Sequence, residues 1–252
     1  MTAAGAVPRE PAGGPEPLAT APGDVPACSI PVSPRRQGLP DVPMRPRLYR
    51  ALRVVGRSVV RCILDVRVRH AERVPSTGAV LLAGNHRGLL DGPLVAAFGP
   101  RQASFLAKSE LFSPRTARVL GWLGQIPIDR GRADREALRR AATVLRNGGV
   151  LGMFPEGTRG AGELESVQPG IAYVALRTPG VAIVPVACLG TERAMPKGAK
   201  LPRWRARVDI VFGEPFTVRV PENPRSRRAL AAAAEEIRVA LKAHVAAAEA
   251  ER

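Results

Sequence analysis

Residues 79–91 read AVLLAGNHRGLLD, an apolar run followed by Gly84, Asn85 and a histidine, and then by an aspartate five residues after the histidine. The run 79–83 has the length of a buried strand and is closed by Gly84, which predicts that His86 lies at a strand's carboxyl end. Open α/β sheets bind their ligands at that end. A spacing of five is not a helical spacing, so His86 and Asp91 can meet only if the residues between them turn. If they meet, the carboxylate holds one ring nitrogen and leaves the other as a base.

The rest of the chain alternates between short apolar runs and helical patterns. Further strands are predicted near 103–107, 126–128, 150–154, 181–186 and 206–212, the last at the sheet edge, and helices near 93–98, 116–122, 134–145 and 170–176. This order predicts an α/β fold: a single-domain sandwich with a mostly parallel central sheet flanked by helices and preceded by an amphipathic N-terminal helix.

The first 45 residues have a different composition from the remainder. They contain ten of the chain's 25 prolines, with much Ala and Gly and no hydrophobic periodicity. We predict a disordered lead over 1–45. It contains no apolar core of a signal peptide, and no stretch of the chain reaches the length of about 18 apolar residues that a spanning helix needs. We therefore expect an intracellular protein that meets a membrane, if at all, from its surface.

Residues 46–70 are predicted to form one basic amphipathic helix. Its apolar positions recur every three or four residues, at Leu48, Leu52, Val55, Val59, Ile63 and Val66, with Arg50, Arg53, Arg57 and Arg61 on another face. Such a helix can dock on an anionic bilayer, or it can pack on the domain with an Arg-rich solvated face. We expect the α/β domain to span 71–225 and an Ala-rich helix over 226–252 to pack on it.

Within the first 45 residues, four Arg and four acidic residues cancel, so the whole net charge of +16 lies in the remainder of the chain. A surface of this charge favours a polyanionic partner: nucleic acid, an anionic leaflet or a phosphorylated substrate. Nucleic acid is disfavoured, because aromatic residues make up only 4% of the chain and no recognition motif is present. Cys28, Cys62 and Cys188 lack metal-ligand spacing, so neither a metal site nor a disulfide framework is expected.

Two further polar clusters follow predicted strands. One is Arg130, and the other comprises Glu156, Gly157, Thr158 and Arg159, in which a Gly-flanked Thr and Arg are typical of a turn that holds an anion. Carboxyl ends of parallel strands share one sheet edge, so these groups should gather near His86. A base beside an anion clamp suits transfer to a phosphorylated alcohol: the base takes the hydroxyl proton and the oxygen attacks an activated carbonyl.

Over roughly residues 75–215 the sequence resembles the glycerol-phosphate and lysophospholipid acyltransferase family. Four blocks match in order: 85–91, the His-x4-Asp motif; 124–130, GQIPIDR; 154–159, FPEGTR; and 183–186, IVPV. The resemblance implies that His86 is the general base oriented by Asp91, and that Arg130 and 156–159 bind the acceptor phosphate. Two positions depart from the pattern: Gly88 stands where many members have Ser, and Gln168 where members commonly have Lys.

The resemblance also implies the reaction and its partners. A fatty-acyl group would move from acyl-CoA or acyl carrier protein to the free hydroxyl of 1-acyl-sn-glycerol 3-phosphate, giving phosphatidic acid, with no cofactor, no metal and no covalent acyl-enzyme. Because the acceptor is a lysophospholipid, the expected place is the cytoplasmic face of the cell membrane, where the protein would bind peripherally to an anionic surface.

Four alternatives remain at this point. The acceptor can be another lysophospholipid, a glycolipid or an aminolipid, and the chain can be a catalytically silent lipid-binding relative. A serine hydrolase that uses Ser109 or Ser58 with His86 is disfavoured, because no Gly-x-Ser-x-Gly elbow is present. A nucleic-acid-binding protein is disfavoured on the grounds given above.

Overall fold

The computed structural model describes residues 45–129, 134–157 and 164–252. The helices are α1 (Pro46–Ile63), α2 (Asp91–Phe98), α3 (Ala117–Trp122), α4 (Arg135–Arg146), α5 (Gly170–Leu176), α6 (Thr191–Ala194) and α7 (Arg227–Ala250). The strands are β1 (Asp65–Arg69), β2 (Val80–Gly84), β3 (Ala103–Lys108), β4 (Ile126–Ile128), β5 (Val150–Met153), β6 (Ala182–Leu189) and β7 (Arg207–Phe212). The disorder predicted for 1–45 falls outside the described residues, except at Arg45.

The seven strands form one sheet in the order β1-β7-β6-β2-β5-β3-β4. Neighbouring strands are parallel except β6 and β7, which are antiparallel. The predicted α/β fold with a mostly parallel sheet is thus confirmed. Strand β2 lies at the centre, between β5 and β6, so the motif that follows it sits in the middle of one sheet edge.

Strand β2 is buried on both faces, as parallel strands covered by helices are. Leu81 and Ala83 join the apolar cluster that contains α4, α5 and α7, whereas Val80 and Leu82 join the cluster that contains α2. Helices therefore cover both sides of the sheet and make a three-layer sandwich. Burial on both faces explains why residues 79–83 read as a continuous apolar run rather than an alternating one.

The helix predicted over 46–70 is wrong beyond Ile63. The chain extends at Leu64, and Asp65–Arg69 form β1, parallel to β7. The physical reason is a change of period: DVRVR alternates charged and β-branched residues, as a half-buried strand does, and Val66 also fits a helical spacing. The edge position predicted for 206–212 is wrong as well. The unpredicted strand β1 pairs with the outer side of β7 and takes the edge of the sheet itself.

Helix α1 is oriented so that much of its apolar stripe faces outward. Leu52, Val55 and Val59 are exposed. Arg53 and Arg57 instead turn toward the domain. Both donate to the backbone oxygen of Gly99, at 2.6 and 3.0 Å, where α2 ends. Guanidinium groups at a helix C-terminus satisfy free carbonyls and oppose the dipole's negative end. The arginines thus attach α1 to the domain, and the interpretation that the stripe packs inward is wrong for these three apolar residues.

In the part of the chain that the structure describes, no helix combines the length and the apolar character needed to cross a membrane.

Candidate active site

The turn required by the motif is present. Strand β2 ends at Gly84, and Asp91 is the first residue of α2, so the chain folds back and brings His86 Nδ1 to 2.8 Å from Asp91 Oδ2. The backbone N–H of Gly88 donates to the same oxygen at 2.8 Å. Asp91 is fully buried. Because a carboxylate only accepts, His86 Nδ1 carries the hydrogen, and Nε2 is left with the free lone pair that a base requires.

Aromatic rings fix the plane of the histidine. Phe154, which follows β5, stacks on the imidazole with ring centroids 4.6 Å apart and an interplanar angle of 20°. Phe105 of β3 stacks on Phe154 at 5.8 Å. The stack needs small neighbours, since a Cβ at Gly152 would lie 2.0 Å from the Phe105 ring. Both contacts of the imidazole, the carboxylate and the ring, therefore come from buried or packed side chains.

Glu156 lies against the histidine's backbone. Its Oε1 accepts from the N–H of His86 at 2.8 Å. Burial raises the pKa of the Glu156 carboxyl, and the hydrogen bond from His86 partly opposes that rise. The family resemblance implies that Glu156 binds the acceptor; in the structure one of its carboxylate oxygens accepts from the backbone of the motif. A carboxylate repels a phosphate, so this geometry indicates that Glu156 holds the loop that carries the base.

Two substitutions separate these roles of Glu156. Glu156→Gln keeps a carbonyl acceptor for the N–H of His86, so kcat should fall by less than about tenfold, the difference between a charged and a neutral hydrogen bond. Glu156→Ala removes the acceptor and should lower kcat by about 10²-fold, because a shift of about 1 Å in a catalytic group has that cost. Steady-state kinetics with varied acceptor measure both. A rise in acceptor KM at unchanged kcat for the Gln variant would instead indicate acceptor binding.

Asn85 is a structural residue that sequence reasoning missed. Its amide accepts from the backbone N–H of Cys188 at 2.7 Å and donates to the carbonyl of Cys188 at 3.2 Å. Both residues are buried. This pairing joins the carboxyl end of β2 to β6 across 103 residues of sequence. A polar amide directly after a buried strand was the available signal, because a buried amide requires partners.

Gly88 is explained by its neighbour Thr191. A Cβ at Gly88 would lie 2.8 Å from Thr191 Oγ1 and 2.9 Å from the backbone carbonyl carbon of Thr191. Thr191 is fully buried at the start of α6. The backbone atom cannot move aside cheaply, so the serine of many family members has no room here.

Restoring that serine should therefore damage the protein. We expect Gly88→Ser to destabilise the fold by about 1–3 kcal/mol, the usual cost of overpacking. We also expect it to lower activity at least about tenfold, because the loop that donates to Asp91 must shift. Gly56→Ser is the matched control, since a Cβ at Gly56 meets nothing within 4 Å. Thermal unfolding and acyl transfer measure the two effects, and a fully stable and active Gly88→Ser variant would contradict this account.

A cavity of about 440 Å³ opens beside the histidine. Its walls come from α1, α2, β3 and α3 and are mostly apolar, including Leu52, Ala96, Leu106, Leu111, Leu120, Leu123 and Phe154. Tyr49 closes one side: its hydroxyl donates to the carbonyl of Ala96 at 3.0 Å and accepts from Ala103 N–H at 3.3 Å. This cavity could not be predicted from the sequence, because its walls derive from separated segments.

The remaining predicted residues divide into two groups. Gly157 is described: it has a positive φ of 72°, and its N–H donates to the carbonyl of Phe154, which makes the turn after β5. Arg130, Thr158 and Arg159 lie outside the described residues. Strands β4 and β5, which precede them, are parallel to β3, so their carboxyl ends lie at the same sheet edge as the histidine.

Comparisons with known proteins agree with this geometry. A family model described as Acyltransferase matches residues 65–189. The 1-acyl-sn-glycerol-3-phosphate acyltransferase of Helicobacter pylori is 34% identical over 171 residues, which cover 64% of this chain and 70% of that protein. Lyso-ornithine lipid O-acyltransferase of Pseudomonas aeruginosa is 34% identical over 159 residues, with 61% and 57% covered.

A solved structure is similar as well. It is the crystal structure of the 1-acyl-sn-glycerophosphate (LPA) acyltransferase PlsC from Thermotoga maritima, with a TM-score of 0.65 and 27% identity. The match covers 82% of this chain and 84% of that one. Against the chloroplast 1-acyl-sn-glycerol-3-phosphate acyltransferases of Arabidopsis thaliana and Brassica napus, this chain spans less than half of the relative's length, 43% and 44%.

Proposed function

The chain belongs to the acyltransferase family, and from that premise we propose that it transfers a fatty-acyl group from an acyl thioester to the free hydroxyl of 1-acyl-sn-glycerol 3-phosphate, giving phosphatidic acid. One observation carries the proposal. The buried His86–Asp91 pair, joined at 2.8 Å, lies at the wall of an apolar cavity of about 440 Å³. A base and a chamber for a hydrocarbon chain are the two parts that acyl transfer to a lipid alcohol requires.

The proposed chemistry uses the free nitrogen of the histidine. Nε2 of His86 takes the proton from the acceptor hydroxyl while the oxygen attacks the thioester carbonyl. The tetrahedral intermediate then breaks its C–S bond, and the departing thiolate takes the proton back from the imidazolium. Asp91, at 2.8 Å from Nδ1, stabilises the imidazolium between the two steps. A positioned base of this kind contributes about 10²- to 10⁴-fold.

The cavity supports the acyl-chain part of the proposal. Apolar pockets with few polar groups bury lipid-like ligands, and this one joins the imidazole at one wall. Leu52, Leu89 and Leu111 are exposed and also line the cavity, so its mouth is apolar too. We place the acyl chain of one of the two substrates in this cavity, with its carbonyl or hydroxyl end at His86.

Filling the cavity should change which chains are accepted. Ala96 lines the cavity from α2, so Ala96→Phe adds a ring inside it. For the substrate whose chain occupies the cavity, we expect transfer with long chains to fall at least about tenfold relative to short ones, since each lost CH₂ contact is worth about 0.8 kcal/mol. Ala232→Phe on the exposed face of α7 is the control. One chain-length series of acyl-CoA donors and one of lysophosphatidic acid acceptors measure the ratio, and equal loss across both series would contradict the assignment.

The acceptor and the membrane complete the proposal. By resemblance Arg130, Gly157, Thr158 and Arg159 bind the acceptor phosphate, and acyl-CoA or acyl carrier protein supplies the acyl group. The outward apolar stripe of α1 supports peripheral binding to an anionic membrane, and we place the protein at the cytoplasmic face of the cell membrane.

The likeness to lyso-ornithine lipid O-acyltransferase favours a second candidate, the same chemistry on a lyso-ornithine lipid. One experiment addresses both. Thiol release from oleoyl-CoA is followed with lysophosphatidic acid or lyso-ornithine lipid in vesicles. Release that depends on lysophosphatidic acid supports the first proposal. Release with the ornithine lipid alone moves the proposal to the second acceptor. No release with either acceptor, from oleoyl-CoA or from oleoyl acyl carrier protein, overturns both proposals.

A further inference from the structure

The connection between β6 and β7 carries unusual side chains. Residues 195–206 contain Lys197, Lys200, Arg203 and Arg205, all exposed, and no Asp or Glu. The same loop presents Leu201 and Trp204 with 78% and 72% of their surfaces exposed. Isolated exposed leucines are ordinary, but a leucine and a tryptophan set among four cations are typical of a surface that binds lipid headgroups.

Backbone hydrogen bonds close the loop at its base and tie its C-terminal end to α1. Arg203 N–H donates to the carbonyl of Ala194 at 2.7 Å, and Arg205 N–H donates to the carbonyl of Ile63, the last residue of α1, at 2.6 Å. Between these anchors, Ala199 N–H closes a turn onto Pro196 at 3.0 Å. The backbone is thus paired at several points while the large apolar side chains remain outside. Leu201 and Trp204 are therefore exposed on a loop whose backbone is held in place by hydrogen bonds.

The loop lies at the same sheet edge as the histidine. Strand β6 is parallel to β2, with Gly84 opposite Val186, so both strands end at that edge. Strand β7 begins there, because Leu189 pairs with Asp209 in the antiparallel ladder. The loop that joins them therefore leaves the sheet at the edge where residues 85–90 follow β2.

Other exposed apolar side chains lie at this edge. Leu89 follows β2 and Leu111 follows β3, and both are exposed. With Leu201 and Trp204, three separate connections present large apolar groups at one edge of the sheet. A flat bilayer surface can contact several protruding loops at once, whereas a small protein partner needs one contiguous patch.

From these observations we infer that residues 195–206 form a docking loop for the surface of an anionic bilayer, with Leu201 and Trp204 at the acyl boundary and the four cations on headgroup phosphates. The choice of a bilayer as partner rests on the proposed function, because a lysophospholipid acceptor lies in one. The loop would turn the edge that carries His86 toward the membrane, independently of α1.

Charge-matched variants test the docking loop. The triple change Lys197→Ala, Lys200→Ala and Arg203→Ala removes three cations from the loop. The control, Arg225→Ala, Arg227→Ala and Arg228→Ala, removes three exposed cations at the start of α7. The first residue of α7 is about 36 Å along the helix from its C-terminal end. At that C-terminal end, Glu249 pairs with Arg87 at 2.6 Å beside the site. The two variants therefore share net charge but differ in the sheet edge they alter.

Binding is measured by co-sedimentation with phosphatidylcholine vesicles that contain or lack phosphatidylglycerol. Each cation near such a surface is worth about fivefold, so the loss of three should weaken binding of the loop variant to anionic vesicles on the order of a hundredfold, and the control should bind as wild type does. Equal loss in both variants would show binding by net charge alone and overturn the loop assignment. Unchanged binding of the loop variant would overturn it as well.

The tryptophan provides a second readout. Trp122 and Trp204 are the two tryptophans of the chain, so in a Trp122→Phe background the fluorescence reports on Trp204. We expect a blue shift on adding anionic vesicles and quenching by brominated lipid. No shift, despite binding, would place the loop away from the bilayer and overturn the inference.

Two further measurements distinguish failure of the loop assignment from failure of the proposed function. If the loop variant binds vesicles normally but uses acyl carrier protein thioesters poorly, the loop binds an acidic carrier and the bilayer assignment is wrong. Wild-type transfer to a short-chain, water-soluble acceptor is measured without vesicles in the same preparation. Failure there counts against the proposed function alone, because vesicle binding does not depend on it.

Discussion

Replacing His86 with alanine is expected to lower acyl transfer by about 10²- to 10⁴-fold, the contribution of a positioned general base. The substitution removes the nitrogen that we propose takes the hydroxyl proton, and it leaves Asp91 and the cavity in place. The loss should appear in kcat, because the imidazole acts in the transition state rather than in holding the ground state. Thiol release at saturating acceptor measures it.

Folding must be checked in parallel, because His86 is nearly buried and stacks on Phe154. Thermal unfolding of the His86→Ala variant should remain cooperative. His70→Asn is the matched control: His70 lies in a left-handed turn (φ 58°), which Asn tolerates, and is remote from the cavity lining. Activity within about tenfold of wild type in a folded His86→Ala variant would exclude a general-base role.

The second large effect is expected at Asp91. Asp91→Asn keeps the shape but cannot satisfy its surroundings in either orientation. If its oxygen replaces Oδ2, the NH₂ group takes the place of Oδ1, a buried atom for which no partner lies among the described residues. A buried unpaired donor costs about 1–3 kcal/mol. The imidazolium formed during transfer also loses its negative partner.

If the amide is turned around, its NH₂ faces both the N–H of Gly88 and Nδ1 of His86. Nδ1 must then accept, which moves the ring hydrogen to Nε2 and removes the base. Either orientation should lower kcat by about 10²- to 10⁴-fold. The control is Asp65→Asn, a change at a partly exposed carboxylate on β1. Nearly full activity of a well-folded Asp91→Asn variant would mean that Asp91 neither orients His86 nor stabilises its imidazolium.

The centre of the sheet could be predicted from sequence because β2, β5 and β6 are buried on both faces and are bounded by Gly or Pro. Prediction failed where two periods coincide. Val66 fits both the helical spacing of α1 and the alternation of β1, and the decision depends on pairing with Val208 of β7, far along the chain. No local pattern contains that pairing, and the edge position predicted for β7 failed with it.

The candidate site was predictable to a similar extent. The His86–Asp91 contact follows from a strand end and a turn, both of which are local. The bond from Glu156 to the backbone of His86 spans 70 residues, and the cavity combines α1, α2, β3 and α3. Such features arise from tertiary packing, so no local sequence pattern contains them. The direction of α1 was likewise set by carbonyls at the end of α2, which accept from Arg53 and Arg57.

The orientation of α1 has a consequence for how a lipid reaches the cavity. Tyr49 and Leu52 form part of the cavity wall, while Val55 and Val59, one to two turns further along, are exposed. Positions three or seven residues apart lie on nearly the same side of an α-helix, so the two valines continue the face of α1 on which Leu52 meets the cavity. The cavity mouth and the exposed stripe therefore form one apolar track, about 10 Å long from Leu52 to Val59. A hydrocarbon chain lying on α1 can enter the chamber by sliding along this track, without first leaving apolar surroundings for water.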